Sequence, residues 1–117
     1  MSDSTVRRDW ETFWQEVDQT YQEAKDSQGA LLALSDRYRR LSPNERNVVD
    51  RLLADKLASP DENIRFDALA LVGEFKIRST EPQLRSLAAR LEAEMTPGAP
   101  FELAKVNRIL NQFQQAS

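Results

Sequence analysis

The stretch Ser-Pro-Asp-Glu-Asn-Ile-Arg-Phe-Asp-Ala-Leu-Ala-Leu-Val-Gly-Glu-Phe, residues 59–75, decides the fold of this chain. Its first four residues resemble a helix start, with Ser59 expected as the N-cap. The helix predicted over residues 60–77 then carries apolar side chains on more than one side: Ile64, Phe66, Ala68, Leu69, Leu71, Val72, Phe75 and Ile77. Because so wide an apolar arc is packed on two sides, we expect this helix to be central.

Apolar residues recur at helical spacing through the rest of the chain and predict five further helices. We place them over about residues 6–24, 30–41, 43–58, 81–95 and 100–114, with Phe101 on the apolar stripe of the last. Residues 42–45, Ser-Pro-Asn-Glu, predict a capping box, and Gln28-Gly29 is expected to break the first helix. Short connections predict antiparallel neighbours. The prediction is an all-α single domain, residues 1–117, of about six antiparallel helices in three pairs: 5–41, 43–78 and 80–115.

The composition excludes several kinds of chemistry. The 117 residues include no Cys and no His, which removes thiolate metal sites, cysteine nucleophiles and histidine-based catalysis. The three glycines are isolated and form no phosphate-binding loop. Asp67 and Glu74 are the best carboxylate pair, but two helical turns put them about 10 Å apart, too far to act on one bond. We therefore predict no enzyme activity, no cofactor and no metal.

No segment predicts a membrane protein. The longest uncharged apolar run, residues 68–73, is far shorter than a bilayer span, and the first ten residues lack the apolar core of a signal peptide. We expect a cytoplasmic location.

An internal repeat is visible in the second half of the chain. A shift of 37 residues places Ile64 on Phe101, Leu69 on Val106 and Val72 on Ile109. Helix pairs that recur at this spacing are typical of helical solenoids.

Asp61, Ile64, Arg65 and Ala68 form a D-x-x-I-R-x-x-A pattern that resembles HEAT repeats. In HEAT repeats the aspartate and arginine at these places belong to the structural turn and to the ladder between neighbouring repeats. The resemblance implies three stacked helix pairs. Glu102 stands where Arg65 does under the 37-residue shift, and spacing alone predicts a surface pair between Glu62 and Arg65.

HEAT-like proteins are mostly binding surfaces or scaffolds, and this small acidic chain also resembles immunity proteins of bacterial toxin systems. That resemblance implies a protein that binds and neutralises a toxin domain from the same organism, without chemistry of its own. We expect the binding face on the second helix of each pair, at exposed positions Arg37, Arg40, Asp67, Glu74, Lys105 and Arg108.

The charge distribution leaves alternatives open. Residues 1–26 carry a net charge of −4 and residues 37–51 a net charge of +3. Both are either solvated helix faces or surfaces that steer a partner. A general scaffold is one alternative function, and nucleic-acid binding is another, through Arg37, Arg39, Arg40, Arg46 and Arg51. The overall charge of −3 argues against the latter. Trp10 and Trp14 lie on an apolar stripe and are predicted as core, not as base-stacking groups.

Overall fold

The structure, a computed structural model, describes residues 2–115, and these form helices and short connections without a strand. The helices are α1 (Asp3–Glu23), α2 (Ser27–Arg39), α3 (Pro43–Leu57), α4 (Glu62–Phe75), α5 (Glu81–Ala93) and α6 (Ala99–Gln115), with a 3₁₀ turn at Arg78–Thr80. The predicted all-α class is confirmed. The residues group into two compact units, one up to Leu52 and one from Leu53 onward, so the boundary lies inside α3.

In the first unit α1 packs against α2. One stripe of α1 is buried, at spacings that return to the same helix face every three or four residues: Val6, Trp10, Trp14 and Val17. The Trp10 ring lies 6.3 Å from that of Trp14 and meets the Tyr38 ring edge-on at 6.5 Å. The prediction that both tryptophans belong to the core is confirmed, since each is at most 3% exposed.

The connection between α1 and α2 differs from the prediction. The chain turns at Lys25, whose φ of 55° is left-handed, and Asp26 caps α2 by accepting a 2.8 Å hydrogen bond from the backbone N–H of Gly29. Gly29 therefore lies inside α2 and does not break a helix. A Cβ at this position would collide with the Asp26 carboxylate that caps the helix and come within 2.7 Å of the Tyr21 ring, so these two close approaches favour glycine.

The two predicted helix starts have different outcomes. At α3 the capping box is confirmed: the Ser42 N–H donates to Glu45 Oε1 at 2.8 Å, and the Glu45 N–H donates to Ser42 Oγ at 3.2 Å. At α4 the expected Ser59 cap is wrong, because Asp61 caps the helix by accepting from the Asn63 N–H at 2.9 Å. Ser59 Oγ instead accepts from the Asp61 N–H, which holds the residue before the helix in extended conformation.

In the second unit α6 packs against both α5 and α4. The buried side of α4 consists of Arg65, Ala68, Leu69, Leu71 and Val72. The apolar members of this set are at most 1% exposed, as the wide apolar arc predicts. The arc is narrower than predicted, however, since Phe66 is 40% exposed and Phe75 is half-buried.

The end of α4 offers a stabilising substitution. Lys76 adopts a left-handed conformation, φ 50° and ψ 57°, in which a Cβ is strained and glycine is not. We expect Lys76→Gly to raise the free energy of unfolding by about 1 kcal/mol in urea denaturation. Lys76→Ala is the matched control, since it removes the same charge and keeps the strained Cβ. An equal gain in both variants would contradict a backbone origin.

Tyr38, which is buried, and Asp50, which is half-buried, form a hydrogen-bonded pair in the first unit. The Tyr38 hydroxyl donates to Asp50 Oδ1 at 2.7 Å, and the Arg46 guanidinium lies 5.0 Å from the centre of the Tyr38 ring. Burial raises the pKa of Asp50, although the hydrogen bond from Tyr38 opposes the shift. Burial, followed by the bond to Asp50, also raises the pKa of Tyr38.

This pair predicts a pH dependence. The pKa of Asp50 is higher in the folded state, so protonation of Asp50 stabilises the folded state. This stabilisation is complete at a pH below the unfolded pKa and is lost as the pH rises through the folded pKa. We expect the free energy of unfolding of the wild type to increase relative to that of Asp50→Asn as the pH falls from about 7 to about 4. Parallel urea titrations of both proteins measure the difference, and a change of opposite sign would contradict the raised pKa.

Candidate protein-binding surface

Arg65 and Glu102 form a buried ion pair that joins α4 to α6. Arg65 Nε lies 2.7 Å from Glu102 Oε2 and Arg65 Nη2 lies 2.9 Å from Oε1, with the two side chains only 5% and 11% exposed. The prediction of a surface pair between Glu62 and Arg65 is therefore wrong. Position 65 falls on the buried side of α4, and packing against α6 supplies the acid from 37 residues away.

Each of the three guanidinium nitrogens of Arg65 donates a hydrogen bond. Its Nη1 donates to the Ser59 carbonyl at 2.9 Å, and Arg90 donates to the same oxygen at 3.4 Å. Arg90 also pairs with Glu94 at 3.2 Å. The hydrogen bonds to Glu102 raise the pKa of Arg65, so it stays charged. This network links the loop before α4 to α4, α5 and α6 through charged hydrogen bonds.

Beside this network lies an apolar depression of about 300 Å³ between α4 and α6, which we call the Phe66–Phe101 groove. Phe101 is 80% exposed, and the ammonium of Lys105 lies 4.1 Å from the centre of the Phe66 ring. The groove is lined by Glu62, Phe66, Leu69, Gly98, Phe101, Glu102 and Lys105. It shares Glu102 with the buried ion pair, so one wall is held in place by Arg65.

Sequence reasoning missed this groove because it assigned Phe66 and Phe101 to the core. For Phe66 the sequence does hold a sign of exposure, because the helical period puts it on the same side of α4 as Glu62, Ala70 and Glu74. Large exposed aromatics on two contacting helices are a feature that only the packing reveals.

The predicted face residues have different surroundings. Lys105 lines the groove, and Asp67, half-buried, and Glu74, exposed, lie on α4. Arg108 is exposed on α6. The remaining two belong to the first unit, on or next to α2: the Arg37 guanidinium covers the Phe13 ring at 4.9 Å and Arg40 pairs with Asp36 at 2.9 Å. That all six residues form one binding face stays a prediction.

The arginines of the nucleic-acid alternative make local contacts. Besides Arg37 and Arg40, Arg46 covers the Tyr38 ring and donates to the Arg39 carbonyl at 3.1 Å, and Arg51 lies 3.7 Å from Asp3. Asp36 and Asp3 offset part of the positive charge.

Within residues 2–115 no three acidic side chains come together as a group able to hold a metal ion. No helix in the same range combines the length and apolarity needed to cross a bilayer.

Comparison with known protein families, with curated proteins and with solved structures gives no match for this chain. The HEAT-repeat resemblance rests on the residues of its motif.

Proposed function

We propose that this protein is a non-catalytic protein-binding module. The observation that carries the proposal is the Phe66–Phe101 groove, which presents two aromatic rings on adjacent helices. Aromatic side chains, phenylalanine among them, are enriched at protein interfaces, and a few anchor residues near the centre of an interface carry most of its binding energy. The buried Arg65–Glu102 pair beneath one wall restricts movement of the site, which favours a preformed anchor over a loose apolar patch.

Within this class we propose an immunity-type inhibitor that binds a bacterial toxin domain in the cytoplasm. Its support is the small, acidic composition and the HEAT-like motif. The ion pair between Arg65 and Glu102 joins two successive predicted helix pairs, although a glutamate at the place equivalent to Arg65 departs from the HEAT motif. The acids of α4 suit a basic cleft on a toxin.

The proposal is tested with the products of neighbouring genes. Each is co-expressed with this chain, purified, and titrated against it by isothermal calorimetry. We expect one to bind with a Kd below about 1 μM, and Phe101→Ser to weaken that binding at least tenfold. Leu32→Ser is the matched control, because Leu32 is also a large exposed apolar residue, 65% exposed on α2, and does not line the groove. If a native-host pull-down also yields no protein partner of micromolar affinity, the proposal fails.

A further inference from the structure

We infer that the Phe66–Phe101 groove receives one large apolar side chain from a partner that places lysine or arginine beside it. The inference rests on the proposed protein-binding function and specifies the chemistry of the partner. Three observations support it: the volume and lining of the groove, the pairing of Glu102 with Arg65, and the charges of Glu62 and Lys105 at the groove.

The groove is built for an apolar anchor. Phe66, Phe101 and the buried Leu69 supply its lining, and its volume of about 300 Å³ accommodates a leucine, methionine or phenylalanine side chain. The lining glutamate Glu102 already has both carboxylate oxygens hydrogen-bonded to Arg65, so it does not demand a polar occupant. An inserted side chain would cover Phe101, which is 80% exposed.

The charge along α4 specifies what surrounds the anchor. The only base of α4 is Arg65, which is buried against Glu102, and Glu62 is the exposed acid of this helix that lines the groove. Glu62 is exposed, and the cation that interacts with it, Arg65, is already ion-paired with Glu102. A carboxylate at the edge of an apolar groove favours a cation next to the inserted side chain.

Lys105 of α6 also lines the groove, and its ammonium lies over the Phe66 ring. Its charge is positioned on α6, one turn after Phe101. The partner is therefore basic beside Glu62 and not beside Lys105, and this asymmetry fixes the orientation in which it binds. A second copy of the chain and an acidic partner are the competing occupants.

A phage-displayed library of random linear peptides, selected on the whole protein, tests the inference. We expect enriched peptides to carry Leu, Met or an aromatic residue next to Lys or Arg. Phe101→Ser is expected to weaken the best peptide at least tenfold, and Glu62→Gln about threefold with reduced salt dependence. Leu32→Ser and Glu92→Gln are the matched controls, since both positions are exposed and neither lines the groove.

Three results would overturn the inference: no enriched peptide, enriched peptides without basic residues, or equal binding to Phe101→Ser and the wild type. Analytical ultracentrifugation of the protein alone tests whether a second copy of the chain occupies the groove. A dimer that Phe101→Ser dissociates would assign the groove to self-association. If a native partner binds with unchanged affinity to Phe101→Ser, this inference fails and the protein-binding function stands. If peptides bind as expected and no native partner exists, the function fails.

Discussion

Leu71→Asp is expected to unfold the unit that begins at Leu53. Leu71 is fully buried in α4, and an aspartate there must either bury an unpaired charge or force the helix off its neighbours. Either outcome costs several kcal/mol, a large part of the about 5–15 kcal/mol by which domains of this size are stable. Circular dichroism at the helical band, followed through urea denaturation, measures the loss.

Asn63→Asp is the control for Leu71→Asp, because it introduces the same side chain at an exposed position near the start of the same helix. Its effect on the free energy of unfolding should stay within about 0.5 kcal/mol. A urea unfolding curve for Leu71→Asp that superimposes on that of the wild type would show that the buried face of α4 is wrongly assigned.

Arg65→Met is the second substitution with a large expected effect. It leaves the carboxylate of Glu102, 11% exposed, without its counter-charge and without two hydrogen bonds. It also removes a donor to the Ser59 carbonyl. Breaking a buried pair by removing one member costs about 3–5 kcal/mol, and urea denaturation should show a loss of this size.

Two further variants separate the ion pair from other effects of the Arg65 substitution. The double variant Arg65→Met, Glu102→Leu should recover most of the stability, since apolar residues of similar volume often replace a buried pair without loss. Arg85→Met removes the exposed pair between Arg85 and Glu81 and should cost less than about 1 kcal/mol. Equal losses in Arg65→Met and Arg85→Met would refute a structural role for the buried pair.

The local features of this chain were predictable because they depend on residues within one or two helical turns. The period of apolar positions identified six helices, and the capping box at Ser42 and Glu45 involves two residues three apart. The predicted break at Gly29 was wrong because the chain turns earlier, at Lys25, and Asp26 caps α2 so that Gly29 lies in its first turn. The cap at Asp61 was missed because serine and aspartate in one loop compete for the same role.

The candidate site depended on contacts that no short-range pattern contains. The spacing of three residues from Glu62 predicts that Arg65 lies on the surface, and only the packing of α4 on α6 brings Glu102 to it. Phenylalanine is a residue type expected in the core, yet the same packing leaves Phe66 and Phe101 exposed at a groove. Helix formation follows the sequence because each backbone hydrogen bond closes within four residues. Which apolar side chains stay exposed is decided by the position of the neighbouring helix, and that is a property of the tertiary structure.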